Sequence, residues 1–124
     1  MERHPMIVAG FGFRSEVTLA ALQDALARAG GAQGVTHLAT LAAKADGLGP
    51  LAMALDLPII ALDLTALHGV PTPTRSDRVE KMFGTGSIAE AAALAAAGPG
   101  ARLRGPRVAS SDGTATAAIA ESAI

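Results

Sequence analysis

Apolar and polar positions along this chain change rhythm several times, and each change marks an element. Met6 to Ala9 is a short apolar run that stops at Gly10; after G-F-G-F-R-S, residues Glu16 to Ala29 place Val17, Leu19 to Leu22 and Leu26 on one helical face. A strand, a glycine turn and a helix are predicted there. Ser15 stands where an N-cap belongs, Glu16 complements the positive helix start, and Gly30-Gly31 supplies the stop.

The rhythm then repeats. Val35 to Leu41 has the length and apolar content of a second strand, A-A-K-A-D-G leads out of it, and Leu48 to Leu55 predicts a short helix with Pro50 in its first turn. Asp56 and Pro58 close that helix. Pro58 to Leu62 is a continuous apolar run between turn residues, the pattern of a parallel strand covered on both faces. Asp63 to His68 predicts one helical turn. The prolines of V-P-T-P-T-R-S keep it out of regular pairing and predict a mobile loop or lid. Ser76 to Met82 has a cap-like start, S-D-R-V-E, and predicts another short helix.

Phe83 to Gly98 reads F-G-T-G-S-I-A-E-A-A-A-L-A-A-A-G, a glycine-rich turn running straight into a helix start. Ser87 and Glu90 have the S-x-x-E spacing of a capping box, so a helix over residues 87 to 97 is predicted, stopped by Gly98-Pro99-Gly100. Ala101 to Ala109 is extended but broken by Gly105-Pro106, S-S-D-G makes a turn, and Thr114 to Ala120 alternates as a final strand. Strand–helix units followed by that hairpin predict an α/β fold. Its three layers hold a mixed, mostly parallel sheet flanked by helices, with a C-terminal antiparallel hairpin. No repeat or linker divides residues 1–124, which are read as a single domain.

Composition narrows what such a fold can do. Hydrophobic residues make up 50% of the 124 and charged residues 17%, within the globular range. Aromatic residues are only 2%, so the core has to be built from Leu, Ile, Val, Met and much Ala. Ten basic and eleven acidic side chains give a net charge of −1, and there is no Trp or Tyr to stack on bases, so nucleic acid is not an expected partner. The absence of cysteine excludes disulfides, thiolate zinc sites and a cysteine nucleophile. M-E-R-H-P leads into an apolar run too short for a signal peptide, and no window approaches the roughly 18 apolar residues of a membrane span. A cytoplasmic protein without a membrane partner is expected.

The polar candidates converge on anion recognition. G-F-G-F-R-S has the first two glycines of a dinucleotide fingerprint, yet Ser15 takes the third glycine's place and no clear acidic residue closes the second strand. Neither a nicotinamide nor a flavin is therefore expected. The same glycines allow close approach of a ligand, and Arg14 presents a fork to a carboxylate. Lys44 follows the second strand, on the edge where open α/β sheets bind ligands. Gly84 and Gly86 again allow close approach, and the helix start at Ser87 offers unpaired N–H groups at the positive end of the macrodipole.

Other polar groups carry less. His4, His37 and His68 lack metal-ligand spacing, so neither a protein metal site nor a cofactor is expected, and no serine has a G-x-S-x-G elbow. Thr114 and Thr116 share one face of the last strand, either to meet a ligand together or from ordinary strand propensity. Arg102, Arg104 and Arg107 form a local basic cluster, read as a solvated strand edge or as an anion contact.

Taken in order, four features resemble one known family: G-F-G-F-R after the first strand, Lys44 after the second, G-T-G-S-I-A-E-A-A-A-L at Gly84 to Leu94, and the final T-A-T-A-A-I-A. The family is that of CobE and the C-terminal domain of CbiG, from cobalamin (vitamin B12) biosynthesis. The resemblance runs from about Met6 to Ala120 and is nearest to the stand-alone CobE type. It implies an α/β domain acting on corrin-ring precursors, whose apolar macrocycle is ringed by acetate and propionate carboxylates. The implied ligand is a tetrapyrrole of the precorrin or hydrogenobyrinic acid type, which the protein stabilises, delivers or helps to process. Gly10, Phe11, Gly12, Phe13, Arg14, Lys44, Gly84, Thr85, Gly86 and Ser87 are the expected ligand-binding residues.

The same resemblance leaves alternatives open. Full-length CbiG is associated with opening the ring-A lactone of a cobalt-precorrin with release of acetaldehyde, which makes a hydrolase one alternative, although the chain corresponds to the C-terminal module alone. Lys44 and Glu90 are the candidate catalytic residues for it, and Glu90 is read mainly as a capping residue. A non-catalytic partner of another pathway enzyme is a further alternative, and the Ala-rich helix leaves homodimerisation open. The family often carries an acid three positions after its lysine, where this chain has Gly47, with Asp46 beside it.

Overall fold

The computed structural model describes residues 5–123; His4 and the rest of the M-E-R-H lead lie outside the described residues. Strands β1 (Ile7–Phe13), β2 (His37–Leu41) and β3 (Ile59–Leu62) are parallel neighbours. The short strands β4 (Arg102–Leu103) and β5 (Val108–Ala109) both pair antiparallel with β6 (Ala115–Glu121). β6 in turn lies antiparallel to β1, which gives the order β3-β2-β1-β6-β4, with β5 also on β6. β6 alone runs against the others, so the sheet is mixed and mostly of one direction, and β5 and β6 form the C-terminal hairpin.

Side chains alternate across the pleat, and each face of the sheet is covered by its own helices. Ala9 and Phe11 of β1, Leu38 of β2 and Ile119 of β6 meet Leu22 and Leu26 of α1 (Leu19–Ala29) and Leu51 of α2 (Gly49–Leu55). On the other face Val8, Ala39 and Ala120 meet Leu67 of α3 (Leu64–Leu67) and Ala91, Ala92 and Ala93 of α5 (Ile88–Ala97). A seven-residue helix, α4 (Asp77–Phe83), precedes α5. The alanines let α5 lie unusually near the sheet, and Gly10 is the reason it can. A Cβ there would stand 2.2 Å from the Ala89 carbonyl oxygen and 2.6 Å from the Ala93 nitrogen.

Several expectations are corrected. G-F-G-F is strand, not turn: Gly10 pairs with Ala118 and Gly12 with Thr116 across the β1–β6 ladder. Its glycines serve helix approach instead of a bend. α1 begins at Leu19, with Thr18 rather than Ser15 as N-cap, the Thr18 hydroxyl accepting the Ala21 N–H at 3.1 Å. Residues 14–17 are instead a turn closed by the Val17 N–H on the Arg14 carbonyl. β3 is half-buried and not covered on both faces, because it is the sheet's edge and Ala61 faces out. The final strand does more than close a hairpin, since it fills the middle of the sheet.

Two carboxylates, the half-buried Asp24 and the exposed Asp112, organise the turn between β5 and β6. Asp24 of α1 accepts the Ser111 N–H at 2.7 Å and the Arg28 Nε–H at 3.0 Å. Asp112 accepts the Thr114 N–H, the Thr114 hydroxyl and the Ser110 hydroxyl. The Ser111 N–H, then Arg28, hold Asp24 below the ordinary value of 3.8, and the Thr114 N–H and hydroxyl with Ser110 do the same for Asp112. A depressed folded-state value means the contribution is complete above the ordinary value and is lost as pH falls through the folded one. The urea midpoint is therefore expected to decline below about pH 4, where such carboxylates begin to protonate. Asp24→Asn with Asp112→Asn should flatten part of that decline; equal pH profiles for variant and wild type would refute the assignment.

Candidate functional site

The carboxyl ends of β1 and β2, the strand β6 start and the helix α4 enclose a cavity of about 450 Å³. β1 supplies Gly12 and Phe13, with Arg14 just beyond it, and β2 supplies Thr40. Lys44 comes from a 3-10 turn over Ala42–Leu48. Ser76, the N-cap of α4, contributes with Arg78, Val79, Met82 and Phe83, and Ile88 is the first residue of α5. Arg107 and the run Gly113 to Thr116 complete the wall.

The charge of this lining is one-sided. Arg14, Lys44, Arg78 and Arg107 all contribute to it, and no Asp or Glu does. Phe13, Val79, Met82, Phe83 and Ile88 give it an apolar floor and side. The Lys44 ammonium lies 5.5 Å from the centre of the Phe13 ring, within cation–π reach. Gly47 makes room for that ring, since a Cβ there would stand 2.5 Å from it. With no side chain at residue 47, the Phe13 ring lies close to the lysine ammonium.

The hydroxyls are partly committed: Thr40 donates to the Phe11 carbonyl at 2.9 Å and Thr116 to the Gly12 carbonyl at 3.2 Å. Both bonds fix the end of β1. Helix α5 points its start at the same place. Ser87 caps it, its hydroxyl accepting the Glu90 N–H at 3.3 Å, while the Ile88 and Ala89 N–H groups have no acceptor among the described residues. A positive helix end thus adds to the four cationic side chains of the lining.

Sequence-predicted residues divide into three places. Gly12, Phe13, Arg14 and Lys44 line the large cavity. Gly10, Phe11 and Ser87 are buried beside or beneath it, Phe11 in the core under α1 and Ser87 as the cap. Gly84, Thr85 and Gly86 line a second, smaller cavity of about 300 Å³ with Pro71, Thr72, Arg75 and Glu80. Gly84 there has φ +71, the left-handed conformation that ends α4, and the buried Thr85 hydroxyl has no partner among the described residues.

Glu90 forms only half of the expected capping box. Its N–H is bound by Ser87, but its fully buried carboxylate turns away, accepting the Thr74 N–H at 2.9 Å, the Thr74 hydroxyl at 2.7 Å and the Arg107 N–H at 2.7 Å. The V-P-T-P-T-R-S segment, expected to be a mobile lid, is thereby tied to α5. The Ser76 N–H, bonded to the Gly86 carbonyl at 3.0 Å, ties it a second time.

Arg78, Val79 and Met82 were not predicted as site residues, and the sequence marks Arg107 only as one of a basic cluster, either a solvated strand edge or an anion contact. Arg78 with Met82 and Val79 with Phe83 are i, i+4 pairs, so adjacent rows of α4 could have been marked from helical spacing. The basic cluster separates: Arg104 pairs with Glu121 at 2.6 Å, Arg102 is exposed, and Arg107 faces the cavity. Among the described residues no three His, Asp or Glu side chains gather to hold a metal ion, and no helix is long and apolar enough to cross a membrane.

The family described as cobalamin synthesis G C-terminus matches residues 7–120. CobE, a protein from the cobalamin (vitamin B12) biosynthetic pathway, has a crystal structure similar to this chain with a TM-score of 0.79 and 29% identity, over 98% of this chain and 93% of CobE. Cobalamin biosynthesis protein ChiG from Agrobacterium tumefaciens strain C58 is 34% identical, over 96% of this chain and 100% of its own, with a TM-score of 0.68. A cobalamin biosynthesis protein G homolog from Sulfolobus solfataricus shares the fold at 18% identity and a TM-score of 0.68, over 96% of this chain and 37% of its own. No curated protein matches by sequence. With the family matched over nearly its whole length and the same fold in CobE and ChiG, the chain belongs to the cobalamin synthesis G C-terminus family and is a protein of cobalamin biosynthesis.

Proposed function

We propose that the large cavity binds a corrin-ring precursor of the precorrin or hydrogenobyrinic acid type, and that the protein stabilises or hands on this intermediate. The observation that carries the reading is the one-sided lining, with Arg14, Lys44, Arg78 and Arg107 around an apolar patch and no carboxylate among them. Cations gathered in this way repel one another until an anion joins them. A macrocycle edge bearing several carboxylates answers both halves of the lining, its charges meeting the guanidinium and ammonium groups and its ring meeting Phe13, Met82 and Phe83. Each shielded charge-assisted hydrogen bond contributes about 1.5–3 kcal/mol, and the cavity volume lies within the roughly 300–1,000 Å³ of small-molecule sites.

The hydrolytic alternative is weaker on the same geometry. Lys44 lines the cavity but Glu90 does not, and no His, Asp or Glu lining residue stands by to activate water. Titrating the protein into hydrogenobyrinic acid should give a saturable shift of the tetrapyrrole absorption, and incubation with a lactone-bearing cobalt-precorrin should release no acetaldehyde. An unchanged spectrum with protein in excess would reject the binding reading, and acetaldehyde release from a precorrin lactone would favour hydrolysis.

A further inference from the structure

Glu90 is an ionisable side chain with no exposure to solvent, and no cationic side chain is among its hydrogen-bond partners. Burying a carboxylate is costly unless hydrogen bonds replace its water. Here the Thr74 N–H and hydroxyl and the Arg107 N–H replace it, and these donors belong to segments far apart in the chain, 16 and 17 residues from Glu90 on opposite sides. Thr74 stands two residues before Ser76, the cap of α4, which carries Arg78; Arg107 lies between β4 and β5. Ser76, Arg78 and Arg107 all line the large cavity, whereas Glu90 does not.

We infer that Glu90 is a positioning residue: its carboxylate clasps the two segments that carry Arg78 and Arg107 and so sets the spacing of the cations that receive the ligand's carboxylates. The inference rests on the binding function proposed above. It also explains why the residue is an acid and not its amide. Oε1 and Oε2 both accept, with donors on each side, so a glutamine would turn its NH2 group against either the Thr74 N–H or the Arg107 N–H. A residue serving only the capping box would tolerate that change, since glutamine suits the box as well as glutamate does.

Glu90→Gln is therefore the discriminating variant, followed by amide hydrogen exchange without ligand and by titration with hydrogenobyrinic acid. Exchange at Thr74 or Arg107 is expected to quicken at least roughly 10-fold, the order lost with a hydrogen bond to a charged group, while Ala9 in β1 keeps its protection. Affinity should fall by roughly 10-fold or more, and combining Glu90→Gln with Arg107→Ala should cost less than the product of the two single losses, because one acts through the other. Wild-type exchange and wild-type affinity in Glu90→Gln would overturn the inference, as would independent losses in the double variant. If wild-type protein fails to bind hydrogenobyrinic acid, the binding function falls, and the ligand-free exchange rates still decide whether the clasp exists. If Glu90→Gln does not fold, Thr74→Val deletes only the hydroxyl donor: faster Arg107 exchange supports the clasp, and unaltered exchange overturns it.

Discussion

Gly10→Ala is expected to destabilise the protein by about 3 kcal/mol or more, the upper end of what overpacking a rigid core costs. The added methyl group would meet main chain, 2.2 Å from the Ala89 oxygen and 2.6 Å from the Ala93 nitrogen, and also the Ala93 Cβ at 2.9 Å. No rotamer change relieves such contacts. β1 is held between β2 and β6, and α5 packs through Ala89 and Ala93, both without solvent exposure, so neither element has a free side towards which to retreat. Against a typical total stability of about 5–15 kcal/mol this is a large fraction. Gly105→Ala is the control, because nothing lies within 4 Å of a Cβ there, and it should stay within roughly 0.5 kcal/mol of wild type. Urea unfolding followed by far-UV circular dichroism measures both, and equal midpoints for the two variants would contradict the close approach of α5.

Removing cavity cations should produce the largest change in ligand affinity. Arg107→Ala and Lys44→Ala are each expected to weaken hydrogenobyrinic acid binding by roughly 10- to 100-fold, the equivalent of one charge-assisted hydrogen bond. Arg28→Ala should leave affinity unchanged, since Arg28 sits on α1 paired with Asp24 and does not line the cavity. Wild-type binding should also weaken as salt is raised, and less steeply once a cation is removed. Fluorescence titration at low and high ionic strength tests this directly. If Arg107→Ala and Lys44→Ala both bind as wild type does, the carboxylates are not received in this cavity.

Most of the fold was legible because its elements follow strong local signals. The apolar runs before Gly10, through Leu38 and at Ile59 to Leu62 became the parallel strands, and Ser76 and Ser87 both cap the helices their spacing announced. The failures share one cause, which is that local chemistry does not reveal the partner. Glycines in G-F-G-F look like a turn until α5 is laid against Gly10. A continuous apolar run such as Ile59 to Leu62 fits a central strand, yet only pairing on one side tells that it is an edge. Nor does the alternation in Thr114 to Ala120 indicate that this strand, and not an earlier one, will be the second neighbour of β1.

The candidate site was legible in its β1 and Lys44 parts, which lie at strand ends where α/β sheets place their loops. Arg78 and Arg107 were invisible as a pair because 29 residues separate them and nothing local marks a shared cavity. Glu90 shows the opposite error. Its S-x-x-E spacing gave a sufficient local account, so the carboxylate's distant partners at Thr74 and Arg107 could not be suspected from the motif. The glycine turn at Gly84 to Gly86 is real as a helix stop and start, but it opens on the smaller cavity.

The central place of β6 also governs how the protein can be made. The Thr116 hydroxyl bonds to the Gly12 carbonyl across 104 positions of sequence, roughly 5 to 20 s of synthesis at 5–20 residues per second. Throughout that interval one edge of β1 is unpaired on the nascent chain, with the apolar Val8, Ala9 and Phe11 beside it. Closing so long a loop before any native contact repays it makes this a slow, high-contact-order step. The sheet is therefore completed only after its last central strand leaves the ribosome, and until then the β1 edge is open to pairing.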